Sequence, residues 1–202
     1  MADFRFLQGI YPDFLSKKTL GYIIIDISSS QIKLFSVETK TGVKISASKI
    51  IDFPAEQKDK FILDSLQNFI KDNNISHKDV ILIPQLSSYL IKRLELPLVP
   101  KEEIPKAIMW QIKDESGFDL SKVALDYQLI SKKEKDGAEL LDINCVVLPQ
   151  DEIIRQVLLL KELDLTCVLV SLAVFGYPKI IKRYRKDLET STVGVLHLDE
   201  EN

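Results

Sequence analysis

At 202 residues and 46% hydrophobic content, the chain can build one large or two small hydrophobic cores. Its 27 basic residues stand against 30 acidic ones, and the net charge of −3 excludes the broad positive field that would draw nucleic acid or an anionic membrane surface. No run reaches the about 18 consecutive apolar residues of a membrane span, and Met1 to Lys18 mixes Asp, Arg, Gln and Pro through its apolar residues instead of forming a signal core.

In chain order, residues 1–18 have no clean period, and Phe4, Phe6, Leu7, Ile10, Phe14 and Leu15 make a short amphipathic lead. Tyr22 to Ile25 is an apolar run suited to a buried strand, and it ends at a single acid, Asp26. The small hydroxyl residues Ser28, Ser29 and Ser30 then turn the chain into a second strand, Ile32 to Val37, which begins beside Lys33. Val43, Ile45 and Ala47 alternate with Lys44, Ser46 and Ser48 in a third strand running on toward Phe53. Lys60 to Asp72 carries Ile62, Leu66, Phe69 and Ile70 on one helical stripe closed by Asn73-Asn74, and Val80 to Ile83 is another short apolar strand. Meander, crossover helix and buried parallel strand, in that order, open the ribonuclease H-like unit on which actin-like folds are built.

From Gln85 the pattern restarts. Leu86 to Leu96 is extended and alternating, and Lys101 to Glu115 is predicted as a helix with Glu102 and Glu103 in its first turn, Pro105 near its start and Ile104, Ala107, Ile108 and Ile112 on its buried stripe. Val123 to Ile130 and Leu140 to Leu148 read as strands joined by a charged loop, Lys132 to Gly137, before a helix from Asp151 to Leu163 and a strand from Thr166 to Val170. This is an inserted βαββαβ module, a small sheet with helices on one face. A helix over Val174 to Lys186 and a strand over Val193 to Leu198 return the chain to the first unit. The predicted boundaries are 1–18, 19–85, 86–170 and 171–202, in an α/β architecture.

A strand-turn-strand that grips phosphate aims backbone amides at the ligand and is usually built on glycine. Asp26, Ser28, Ser29, Ser30 and Lys33 are arranged this way, but no glycine lies between Asp26 and Lys33, and the Cβ of Ser28 would make a positive φ costly. Asp26 either holds hydrated Mg²⁺ or caps the turn by accepting a backbone N–H. His77 and His197 have no partner at ligand spacing and read as surface or loop residues, so no metal site is predicted. Cys145 and Cys167 lie in apolar runs and read as buried thiols of a reducing, cytoplasmic compartment. Lys179, Lys182, Arg183, Arg185 and Lys186 form either a solvated helical face or a patch for acidic lipid or a partner's acids.

Taken together, these segments resemble the PilM family, actin-like proteins of type IV pilus assembly related to FtsA and similar to the cytoplasmic domain of GspL. Asp26-Ile-Ser-Ser-Ser-Gln-Ile-Lys33 resembles that family's D-I-G-S-S-S-V-K turn. Tyr89-Leu-Ile-Lys-Arg-Leu-Glu-Leu-Pro97, Ala107-Ile-Met-Trp-Gln111, Gly117-Phe-Asp-Leu120 and Val123-Ala-Leu-Asp-Tyr-Gln128 resemble, in order, its joining strand, A-I-R-W-E helix, P-F-P-L elbow and V-L-D-Y-Q strand. Ser28 stands where the family has glycine, Gln111 where it has glutamate, and Gly117 where it has proline. Leu196-His-Leu-Asp199 departs from its second V-D-I-G turn.

The resemblance implies a scaffold or adaptor on the inner face of an inner membrane. It would dock the extended cytoplasmic tail of a PilN-like partner between the first and inserted subdomains of a pilus or type II secretion platform. Tyr89, Ile91, Arg93, Ile104, Ile108 and Trp110 are the candidate contacts, with core packing as the alternative for Ile104 and Ile108 and also for Tyr89 and Trp110. The second actin-like lobe is expected to be absent and no cofactor is expected. The alternative is an ATPase that takes ATP and Mg²⁺ in a longer chain or with a second copy, and self-association through the open edges of the first sheet is a further expectation. A ribonuclease H-like nuclease would need further carboxylates around Asp26.

Overall fold

A computed structural model describes residues 21–39, 42–53, 58–114, 117, 119–177, 184, 185 and 187. The described residues divide into two compact units, one built on residues 21–85 together with those from 170 onward, the other on residues 86–169. The predicted lead at 1–18, the strand at Val193 to Leu198, the turn at Leu196 to Asp199 and His197 lie outside the described residues, as does most of the helix predicted for Val174 to Lys186. Of its basic cluster only Arg185 is described, paired with Asp187 at 2.8 Å.

In the first unit β1 (Gly21–Ile27), β2 (Gln31–Glu38) and β3 (Lys44–Asp52) form the antiparallel meander, α1 (Lys58–Asp72) follows, and β4 (Asp79–Ile83) lies parallel to β1. β8 (Thr166–Val170), read from the sequence as the last strand of the inserted module, instead joins this sheet, whose order β3-β2-β1-β4-β8 is the ribonuclease H-like one of an actin-like fold. Ile23, Ile25, Ile32, Leu34, Val80 and Leu82 share one face through the register and are buried, while Ile24, Phe35 and Ile81 on the other face are half-buried. α1 buries Ile62, Ser65, Leu66 and Phe69, spaced so that one stripe faces inward. It ends at Asn74, whose φ of 50° turns the chain left-handed, while Ile75 N–H donates to the Ile70 carbonyl and Asn74 N–H to that of Lys71. The start of β1 requires glycine, because a Cβ at Gly21 would run into the Val37 carbonyl and the His77 ring.

β3 differs from the simple alternation read in the sequence. Ser36 pairs with Ala47 but Val37 with Ile45, so β3 carries one extra residue, and Val43, Ile45 and Ile50 are all exposed. The cause is position: β3 ends the strand order, and a bulge with Lys44 and Lys49 on an edge discourages further pairing.

The second unit holds β5 (Leu90–Pro97), α2 (Ile104–Ile112), β6 (Val123–Lys135), β7 (Ala138–Pro149) and α3 (Gln150–Glu162), with sheet order β5-β7-β6. α2 lays Ile104, Ile108 and Ile112 on Leu94, Leu96, Leu141, Ile143, Cys145 and Val147, about 2 kcal/mol of burial for each isoleucine. α2 starts three residues later than predicted, since Lys101–Glu103 form a turn in which Glu103 N–H donates to the Pro100 carbonyl. α3 buries Ile153 and Leu160, which take no part in the α2 core, and β7 is buried on both faces, so the two helices do not share one face as expected. The loop predicted at Lys132 to Gly137 is strand almost throughout. Lys135 pairs with Ala138 around Asp136 and Gly137, whose φ values of 53° and 76° are those of a two-residue hairpin turn.

Candidate functional site

The serine turn closes β1 onto β2. Asp26 faces Lys33 in register, with Nζ 3.9 Å from Oδ2. Ser28 N–H donates to the Gln31 carbonyl at 2.9 Å, its hydroxyl donates to the same carbonyl at 3.1 Å, and Gln31 N–H donates back to the Ser28 hydroxyl at 3.0 Å. None of Ser28, Ser29 and Ser30 has a positive φ, so the strain expected of a serine in glycine's place does not arise. Instead, the Ser28 side chain occupies the turn. Phe53 N–H donates to the Ser30 carbonyl at 2.8 Å and Gln31 Nε2 to Asp52 at 2.7 Å, which latches the turn to the end of β3.

Lys58, which the sequence reading did not single out, reaches from the first turn of α1 to the Ser28 carbonyl at 3.2 Å and lies over the Phe53 ring. Its signal was available, a cation at the first position of the crossover helix. The turn therefore gathers Lys33 and Lys58, but the Ser28 hydroxyl and amide, the groups closest to a phosphate-gripping role, are held by Gln31. Those two groups would have to leave Gln31 before they could donate to a phosphate. Among the described residues no three His, Cys, Asp or Glu side chains gather as metal ligands. His77 Nε2 lies 3.2 Å from the Ser36 hydroxyl, to which Ser46 also donates, so this histidine joins the end of α1 to the sheet.

The six residues proposed to contact a partner do not form one surface. Ile104 and Ile108 are 6% and 0% exposed, which corrects their place among the contacts: they are the floor of the α2 core, because the 3.6-residue period points them at the sheet. Ile91 and Arg93 pair with Val146 and Asn144, on the face of β7 opposite Cys145 and Val147, and therefore opposite α2. Trp110 lies on α2 itself, 80% exposed, while Tyr89 and Ile91 are about half exposed.

Arg93 is committed to Asp142. Its Nε and Nη2 donate to Oδ1 and Oδ2, Lys133 Nζ lies 2.6 Å from Oδ2, and the Ser131 hydroxyl donates to the same oxygen at 3.3 Å. Asp142 is buried beneath these two cations, and their hydrogen bonds hold its carboxyl well below the usual carboxylate range. Lys133 and Lys135 also meet Glu95. The sequence reading missed Asp142. An acid inside the apolar run Leu140-Leu141-Asp142-Ile143 was the available sign.

Trp110 forms the wall of an open groove of about 410 Å³, with Pro105, Lys106, Met109, Lys113 and Leu120 as the other lining residues. Lys113 Nζ stands 5.8 Å from the centre of the indole ring. No described helix is long and apolar enough to cross a membrane.

Among solved structures, the chain is similar to a chain of a PilM-PilN type IV pilus biogenesis complex, with a TM-score of 0.68 and 15% identity over 80% of this chain and 50% of that one. It is also similar to the cytoplasmic domain of EpsL, an inner-membrane component of the type II secretion system of Vibrio cholerae, with a TM-score of 0.53 and 13% identity over 75% of this chain and 57% of that one. The chain thus spans about half the length of these relatives. No curated protein matches it. The family model for type IV pilus assembly protein PilM matches residues 24–196, nearly all of the actin-like and inserted units, and the chain belongs to that family.

Proposed function

We propose that the chain is a scaffold of a type IV pilus or type II secretion inner-membrane platform. In this reading it docks the cytoplasmic tail of a PilN-like protein and is held at the inner face of the membrane through that partner. The observation that carries the reading is its likeness in fold to a chain of a PilM-PilN complex, together with the family match. The second unit offers a suitable surface. Among the described residues β5 has a strand on one side only, and an extended tail adds to such an edge through main-chain hydrogen bonds while reading alternate side chains. Tyr89 and Ile91, exposed at the start of β5, are the apolar contacts this mode calls for.

The reading requires no nucleotide, and the occupied serine turn favours that. Fluorescence anisotropy of a labelled tail peptide from the neighbouring inner-membrane protein should show saturable binding, weakened about tenfold by Ile91→Asp. Binding no tighter than that of a scrambled peptide would overturn it. Calorimetry with ATP and Mg²⁺ should give no heat. Saturable heat would favour the ATPase alternative, in which Lys33 and Lys58 attend the phosphates and Asp26 the hydrated Mg²⁺.

A further inference from the structure

Besides the apolar stripe that a helix on the surface of a sheet needs, α2 carries a second, mixed one. The inner stripe, Ile104, Ile108 and Ile112, is spent on the core. The outer one, at positions 106, 109, 110 and 113, falls at i, i+3, i+4 and i+7, and of its residues Lys106, Trp110 and Lys113 are exposed while Met109 is half-buried against the core. Pro105 and Leu120 close this face into a concave groove of about 410 Å³, room for a large apolar side chain. An indole 80% exposed at the edge of such a hollow leaves apolar area in water that a partner would cover.

The charges define the partner. Among the described residues, the two lysines are the only charged ones lining the groove. Seven residues apart on a helix, they are spaced about 10 Å along its axis, within reach of side chains four residues apart on one face of an extended chain. The described acids near α2, Glu102 and Glu103 before it, Asp114 after it and Asp119 beside Leu120, flank the groove rather than line it. A broad anionic bilayer would meet those acids as well as the lysines, and it offers nothing to fill a hollow. A narrow peptide avoids both difficulties.

We propose that this groove receives an extended acidic segment of a partner protein. The segment buries one apolar side chain against Met109 and Trp110 and sets carboxylates two residues to either side of it, on the same face of the extended chain and about 13 Å apart, on the flexible ends of Lys106 and Lys113. The site is separate from the β5 contacts, since α2 covers the sheet face opposite Ile91 and Arg93. The proposal therefore stands whether or not a tail docks on β5.

Trp110 is the chain's single tryptophan, so its emission reports the groove directly. The probe is a short synthetic peptide with a leucine between two glutamates at that spacing. Titrating it into the full chain should shift Trp110 emission to the blue in a saturable way, with affinity falling as salt rises. Lys106→Glu and Lys113→Glu, both at solvent-facing positions, should each weaken binding about fivefold while leaving thermal unfolding unchanged. Lys113→Arg should retain binding. The same titration with a lysine-for-glutamate peptide should leave the emission unmoved, as should phosphatidylglycerol vesicles. No shift with the acidic peptide, an equal shift with the basic one, or a shift with vesicles alone would each overturn the proposal.

Discussion

Arg93 and Asp142 are joined by two parallel hydrogen bonds between neighbouring strands, Nε to Oδ1 at 2.7 Å and Nη2 to Oδ2 at 2.6 Å. Lys133 completes the cluster from the third strand, so one buried carboxylate ties β5, β6 and β7 together on the face away from α2. Breaking such a cluster by removing its anion is costly because two cations are then left facing each other. Asp142→Asn should lower the urea midpoint clearly, whereas Glu95→Gln, at an exposed position, should change it little. Equal effects of the two substitutions would contradict this account.

The same carboxylate sets a pH dependence. Its folded-state pKa lies below the unfolded value of about 3.9, so its contribution is fully present above that pH and is lost as pH falls through the folded value. Urea midpoints of the wild type and Asp142→Asn should therefore be furthest apart near neutral pH and converge on acidification below about pH 4. A gap independent of pH would show that the charge is not what stabilises the cluster.

At the serine turn, Ser28→Ala should cost about 1 kcal/mol by removing the hydroxyl's bonds to Gln31. Ser28→Gly should cost about 0.5–1 kcal/mol more through backbone entropy, because the serine's φ is not in the left-handed region and glycine has no strain to relieve. Chemical denaturation distinguishes the outcomes. A stabilised glycine variant would mean the turn is strained after all.

Gly137 is a cleaner case. A Cβ there would meet nothing within 4 Å, so Gly137→Ala tests the positive φ alone and should cost about 1 kcal/mol. Gly176, equally uncrowded but without a positive φ, should accept alanine within about 0.5 kcal/mol.

The two cysteines should differ in reactivity toward a thiol reagent. Cys145 is fully buried in the α2 core, where burial raises its thiol pKa, whereas Cys167 is partly exposed. The native chain should titrate no more than one thiol quickly, and the second only on addition of denaturant. Rapid modification of both would mean that the α2 core opens in the native state.

Much of this protein follows from local pattern. The apolar runs around Asp26, the stripes of α1 and α2 and the order of strands and helices were enough for the actin-like sheet and its inserted unit, because period and chain order operate over short distances. The family resemblance rested on the same local segments. Sequence also marked the serine turn and Trp110, but not how either is used. That Ser28 bonds back to Gln31 depends on the φ values the turn adopts once Phe53 and Lys58 are brought against it.

Tertiary structure alone decided how the side chains of the second unit are divided between faces. Alternation from Val123 through Leu129 would turn Ser131 and Lys133 toward α2, yet they face Asp142. The register of β6 slips by one residue between Leu129 and Ser131, and a one-residue bulge reverses every side chain beyond it. No local rule announces such a bulge, because it exists only where two strands are paired. The same pairing places Ile91 and Arg93 on the face opposite α2, and so makes two surfaces of residues that the sequence presented as one.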